Sequence, residues 1–82
     1  MRLAQYVKFR EEKFGGVLFE TRSEKVFTLN PTATAVIREI ANGDEATISS
    51  RLKSRFVDQG EAIEREVSAF VAELRQRGLI EG

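Results

Sequence analysis

A chain of 82 residues holds one domain with a single core, and at that size only about 60% of the surface of the unfolded chain can be buried. The absence of cysteine excludes disulfides, thiolate nucleophiles and sulfur metal sites, and the absence of histidine removes the commonest metal ligand and the commonest general base at neutral pH. Thirteen basic residues balance thirteen acidic ones, so no global field draws the chain to phosphate backbones or anionic membranes.

The N-terminus lacks the apolar core of a signal peptide, and no run approaches the ~18 apolar residues of a membrane span. A soluble cytoplasmic domain over residues 1–82 is expected. Met1 to Gln5 carry no period and read as an arm that orders only against something else. From Tyr6 to Glu11 the sequence alternates, with Val7 and Phe9 on one face and Lys8 and Arg10 on the other, which predicts a first strand with one wet face. Glu11 to Phe14 reads as a charged turn. Gly15-Gly16 permits a sharp backbone change before a second strand, Val17 to Glu20, whose Val17 and Phe19 are expected to point inward. The polar stretch Thr21 to Lys25 joins it to a third strand as a hairpin, so these two strands should pair antiparallel.

The third strand runs straight into a helix. Val26, Phe27, Thr28 and Leu29 suit a pleated, half-buried surface, with Phe27 and Leu29 on one face and Val26 and Thr28 on the other. Asn30 can then accept from the first free helical amides, and Pro31 fits the first helical position because its φ is already suitable. Ala33, Val36, Ile37 and Ile40 recur at helical spacing to about Ala41, and Asn42-Gly43 can take the left-handed conformation that stops a helix. Thr47 is a plausible cap for a second helix whose apolar positions are Ile48, Leu52 and Phe56. Val57 to Gly60 reads as a loop, with Asp58 and Glu61 spaced as a capping box. The third helix extends to about Arg77 on a stripe of Ile63, Val67, Phe70, Val71 and Leu74, and Gly78-Leu79 reads as a stop with an apolar residue folding back. The pattern predicts an α+β fold: a three-stranded antiparallel sheet followed by three helices, like a winged helix-turn-helix.

Chemistry has few footholds. Glu64 or Glu66 with Glu73 can be imagined as a carboxylate pair, but arginines interleave with them as on any solvated helical face. Ser49-Ser50 has no base beside it, and Gly15-Gly16 lacks the spacing and following helix of a phosphate loop. No catalytic residue, metal ligand or cofactor is expected. The winged-helix layout permits DNA binding, for which Arg51, Lys53 and Arg55 on the second helix make the better case; the third helix alternates Arg with Glu and cancels most attraction to phosphate.

Strand addition is the other reading. A three-stranded sheet leaves an edge with unpaired amides and carbonyls, and if the third strand lies there its backbone can pair with an extended peptide while the neighbouring helix sets specificity. The plain alternative is an edge that is solvated or closed by a second copy of the chain as a homodimer.

Leu29-Asn30, Ala33, Ile37, Asn42-Gly43, Ala46-Thr47-Ile48, Leu52, Phe56, Ile63, Glu66-Val67, Phe70, Leu74 and Gly78-Leu79-Ile80 occur in an order and spacing that resemble the PqqD-like family, from Gly16 to the C-terminus. Phe14 to Phe19 is similar to the branch that contains the mycofactocin chaperone. The resemblance implies a peptide-recognition element of ribosomal peptide modification, a non-catalytic chaperone in natural-product biosynthesis. Such a chaperone binds the leader of a precursor peptide as an added strand between the third strand and third helix. It presents the peptide to a modifying enzyme, often a radical S-adenosylmethionine enzyme. Carried onto this sequence, the edge is Val26, Phe27, Thr28 and Leu29 and the helical wall is Glu66, Phe70, Glu73 and Arg77, with the flank of Glu64, Ser68 and Arg75 as the alternative wall. The name-giving branch usually carries a cysteine in the stop after the first helix, where Ala41-Asn42 stands here, which argues against the quinone-cofactor pathway. No residue identifies the precursor.

Overall fold

The computed structural model describes residues 1–56 and 60–82; positions 57–59 of the expected loop, and with them Asp58 of its capping box, fall outside the described residues, while Gly60, expected in that loop, begins the third helix. In chain order the elements are β1 (Arg2–Leu3), β2 (Val7–Glu12), β3 (Gly15–Glu20), β4 (Lys25–Leu29), α1 (Pro31–Glu39) continued by a 3-10 turn (Ile40–Asn42), α2 (Glu45–Arg55), α3 (Gly60–Gln76) and β5 (Ile80–Glu81). The architecture is α+β, a three-stranded antiparallel sheet in the order β2-β3-β4 followed by three helices. Strand β2 continues to Glu12, so the turn before β3 is shorter than the charged stretch from Glu11 suggests.

The sheet packs on the helices through its inner face, with one cross-strand row at its centre and Val7 and Leu29 buried beside it. Phe9 is opposite Leu18 and Leu18 opposite Phe27, and Leu18 is fully buried. This reverses the expectation for β3: Val17 and Phe19 lie on the outer face, and Phe19 is 36% exposed. Val17-Leu18-Phe19 is apolar without a break and fits either phase, so its neighbours decide. Gly16 shares the inner face, where α1 crosses so closely that a Cβ would stand 2.9 Å from the Thr34 hydroxyl. Burial of Val36, Ile37 and Ile40 on α1, Ile48 and Leu52 on α2, and Ile63, Val67, Val71 and Leu74 on α3 completes the core.

The N-terminal residues are not a loose arm. Arg2–Leu3 pairs antiparallel with Ile80–Glu81, the Ala4 amide donates to the Leu79 carbonyl at 2.9 Å, and the Tyr6 hydroxyl donates to the Gly78 carbonyl. Two-residue strands are too short to carry a period, and their partner lies at the far end of the chain. The stop after α3 works as expected: Gly78 takes a φ of 71°, the Leu79 amide donates to the Leu74 carbonyl at 2.9 Å, and Leu79 is buried.

Helix starts follow side-chain chemistry. The Ala33 amide donates to Asn30 Oδ1 at 2.8 Å, with Pro31 at the first helical position. For α2 the cap is Asp44, not Thr47: the Thr47 amide donates to Asp44 Oδ1 at 2.9 Å. Asn42-Gly43 does not form a left-handed stop either. Helix α1 tightens into the 3-10 turn and Gly43 is extended, with φ 167°; a Cβ there would stand 2.8 Å from Thr47 Cβ, so this glycine serves close approach.

Replacing Leu18 by Ala should cost about 2–5 kcal/mol, measured as the shift in a urea unfolding curve, whereas Phe19→Ala on the exposed face should cost far less. Asp44 is held below the ordinary carboxylate range by the hydrogen bond from the Thr47 amide, and Glu11 is lowered by its hydrogen bonds with Arg38. A carboxylate whose pKa is depressed on folding stabilises at neutral pH, and that contribution is lost as pH falls through the ordinary carboxylate range to the depressed value. Asp44→Asn keeps a cap acceptor without a titrating group, so a pH series of melting temperatures should show a shallower acid limb than the wild-type chain.

Candidate functional site

The backbone hydrogen-bond phase of the sheet follows from two bonds at its margin. The Thr21 amide donates to the Tyr6 carbonyl at 2.8 Å, and the Val7 amide turns away from β3 to the Ala4 carbonyl at 3.0 Å. Opposed residues in antiparallel sheets alternate between hydrogen-bonded and non-bonded pairs. Counting along the register from the Tyr6/Thr21 pair, Phe19 and Val17 direct their backbone groups to β2, and Leu18 and Gly16 direct theirs to Phe27 and Leu29 of β4. The remaining β4 groups, the N–H and C=O of Val26 and of Thr28, therefore point off the edge. Among the described residues, strand β4 has β3 as its single neighbour in the sheet.

Beside that edge lies a cleft of about 440 Å³ between β4 and α3. Its apolar lining comes from Leu18, Val26, Phe27, Leu29, Ala33, Phe70, Leu74 and Leu79, with Thr28, Asn30, Glu73 and Arg77 as the polar lining. A second hollow of about 250 Å³, between α1 and α3, continues it past Ala33 and Phe70 and adds Glu66 and Thr32. Phe27 and Phe70 are half-buried, each packing one side on the core and turning the other to the cleft. Arg77 spans the opening: its guanidinium lies 5.1 Å from the centre of the Phe27 ring, and its Nε donates to Glu73 at 3.1 Å.

The structure brings the eight candidate residues to one continuous groove. Val26, Phe27, Thr28, Leu29, Phe70, Glu73 and Arg77 line the larger cleft, and Glu66 lines its extension. Positions 66, 70 and 73 on α3, with Arg77 in the turn directly after it, form a helical stripe beside the core stripe of Ile63, Val67, Val71 and Leu74. The alternative flank turns elsewhere. Glu64 and Ser68 line a separate hollow with Glu61 and Arg65, and Glu64 is tied to Lys53 of α2 at 2.5 Å, a hydrogen bond that lowers its pKa. Sequence reasoning missed Ala33, Leu74 and Leu79 as cleft residues, because each also reads as a core position; only the small size of Ala33 hints that something approaches there.

The second helix does not present a free basic surface. Arg51 pairs with Glu39 at 3.1 Å, Arg55 approaches the same carboxylate at 4.0 Å, and Lys53 holds Glu64. Among the described residues no group of three or more acidic side chains is disposed to hold a metal ion, and no helix is long and apolar enough to cross a membrane.

Residues 15–80 match the family model described as coenzyme PQQ synthesis protein D (PqqD). Two solved structures share the fold. One, "Lasso peptide synthetase B1 complexed with the leader peptide", is 26% identical, with a TM-score of 0.80 over 99% of this chain and 96% of that one. The other, "TbiB1 in Complex with the TbiA(beta) Leader Peptide", is 17% identical, with a TM-score of 0.83 over 100% of this chain and 96% of that one. No match is found among curated protein sequences.

The edge geometry has a consequence that needs no ligand. In hydrogen exchange followed by NMR, the amides of Val26 and Thr28 should exchange much faster than those of Phe27 and Leu29. The opposite alternation would place the unpaired groups on the other set.

Proposed function

This chain belongs to the PqqD family, and we propose that it is a non-catalytic peptide chaperone that binds the leader of a ribosomally made precursor peptide by strand addition at β4. One observation carries the proposal: an unpaired strand edge lies directly beside an apolar cleft. Support comes from the fold, which is that of a lasso peptide synthetase B1 solved with a leader peptide. In this reading Val26 and Thr28 supply the backbone pairs, Phe27, Leu29 and Phe70 receive the peptide's inward side chains, and Glu66, Glu73 and Arg77 form the rim. The bound peptide is presented to a modifying enzyme, of the radical S-adenosylmethionine type, in the cytoplasm, where a cysteine-free domain is at home.

Magnitudes divide the work. Four outward backbone groups at a net ~0.5–1.5 kcal/mol each give about 2–6 kcal/mol, short of the roughly 8 kcal/mol of a micromolar complex. One or two apolar side chains entering the cleft, at about 1.5–3 kcal/mol each before ordering costs, supply the difference. A second copy of the chain would compete for the same four groups, so self-association through β4 and peptide binding exclude one another. DNA binding is disfavoured, because the α2 cations it would use stand beside Glu39 and Glu64, whose charges offset their attraction to phosphate.

The test is a titration of isotope-labelled chain with the leader of the precursor encoded beside it. Amide shifts should concentrate at Val26 to Leu29 and along Glu66, Phe70, Glu73 and Arg77; shifts that avoid both would defeat the mechanism. Thr28→Pro removes one outward amide at an edge position that tolerates proline. It should weaken peptide binding about tenfold, as expected for losing one backbone bond and stranding its partner, with little change in the unfolding midpoint. Equal losses in binding and folding would count against strand addition.

A further inference from the structure

Phe14, Phe19 and Val26 are the exposed large apolar residues among those described, and of these Phe19 and Val26 share the outer face of the sheet. They are opposite one another on the outer face of the sheet, at 36% and 59% exposure. Because Leu18 and Phe27 form the hydrogen-bonded pair beside them, Phe19 and Val26 form a non-bonded pair, in which side chains stand closer. The row reads Lys8, Phe19, Val26 across β2, β3 and β4, then stops at the free edge. The next row, Arg10, Val17 and Thr28, ends in a hydroxyl instead. A large apolar side chain on an edge strand, more than half exposed, lacks its neighbour on one side only.

We propose that the outer face of the sheet, at Val26 backed by Phe19, is a second specificity site that takes an apolar side chain of the peptide bound at β4. The inference rests on strand addition at β4 and goes beyond it, since the cleft accounts only for the peptide residues that point inward. The backbone phase fixes which residues those are. A strand paired to the free groups of Val26 and Thr28 sets one residue opposite each of them, and residues opposite one another project to the same face. The peptide residue opposite Phe27 enters the cleft toward Phe70. Its chain neighbour, opposite Val26, is turned outward and continues the row of Phe19 and Val26. The neighbour on the other side meets Thr28, where a β-branched or hydroxyl side chain fits best. Recognition therefore falls on two consecutive residues with opposite facing, not on every second residue as a one-sided groove would require.

The occupant is the peptide itself because the row is continuous with the edge it pairs to, and because the side chain across from Val26 is brought there by the same bonds that hold the backbone. Cross-strand apolar pairs contribute about 0.2–1 kcal/mol, which corresponds to a preference of about 1.4- to fivefold. That is enough to bias selection and too little to bind alone.

The experiment selects binders from a display library of random linear peptides on the wild-type chain and on Val26→Lys, a substitution at an exposed position that leaves the core untouched. Peptides from the wild-type selection should be enriched in apolar residues at two adjacent positions. On Val26→Lys, one of the two should shift to Asp or Glu while the inward position keeps its preference. Matched synthetic peptides should reproduce the shift as a change in affinity of up to about fivefold, and Phe19→Thr should weaken the outward preference in the same assay. Enrichment at alternate positions only, or an unchanged consensus on Val26→Lys, overturns the outer site while strand addition stands. If the row instead serves self-association, sedimentation will show a concentration-dependent dimer lost in Val26→Lys with no change in peptide selection, which also overturns it. Failure to select any peptide that shifts the amides of Val26 to Leu29 overturns strand addition and the outer site together.

Discussion

Burial of Leu18 between Phe9 and Phe27 sets the terms for everything else in the sheet. Side-chain facing and backbone direction both alternate with a period of two, so a one-residue slip of β3 would turn Val17 and Phe19 inward, and the matching slip of β4 would turn Val26 and Thr28 inward and exchange its free and paired backbone groups. With Leu18 inside, Phe27 and Leu29 go to the core side with their backbone groups engaged. Val26 and Thr28 keep their polar groups at the edge. The same phase that fills the core thus decides which backbone groups the domain can offer to another chain.

That offer is useful only if the helix across the cleft is fixed, and the chain ends do this. The Arg2–Leu3 pairing with Ile80–Glu81 and the Tyr6 hydroxyl bond to Gly78 tie the C-terminal end of α3 to the start of the sheet. Leu79 folds under the last turn and is buried. Arg77 is thereby held where its guanidinium reaches the Phe27 ring. At the other end, Asn30 and Pro31 start α1 without a loop, so Ala33 arrives one turn into the helix as a small residue on the cleft wall. The cleft stays open because the face of α3 turned toward it is the stripe of Glu66, Phe70, Glu73 and Arg77, and the core takes the adjacent stripe.

Much of this could be read from the sequence, for identifiable reasons. The helices announced themselves because Val36, Ile37 and Ile40, or Ile63, Val67, Val71 and Leu74, can be buried together only at helical spacing. Asn30-Pro31 and Gly78-Leu79 marked their ends because few residues do that chemistry. The phase of β3 was not legible, since three consecutive apolar residues satisfy both faces, and only the absence of a side chain at Gly16 against Thr34 breaks the tie. Thr47 and Asp44 are both capping residues, and nothing local says which one the backbone will choose. The β1–β5 pairing was invisible because a contact between the two chain ends leaves no local pattern. The membership of the α3 stripe came from family resemblance together with helical spacing, whereas the outward direction of the Val26 and Thr28 groups depended on a hydrogen bond between Tyr6 and Thr21, on the far side of the sheet.

The charges around the groove fit a surface that accepts a backbone first and side chains second. Glu73 and Arg77 are more than 45% exposed at their side chains and paired with each other, and an exposed pair of this kind contributes little to stability. Either partner can leave the other for a charge on an incoming peptide at small cost. Arg77 can do so while keeping its stem against Phe27. A rim built this way neither rejects nor strongly selects charge of one sign. Under the proposed strand addition, discrimination is therefore left to the apolar positions, and to the number of residues that the free edge can hold in line.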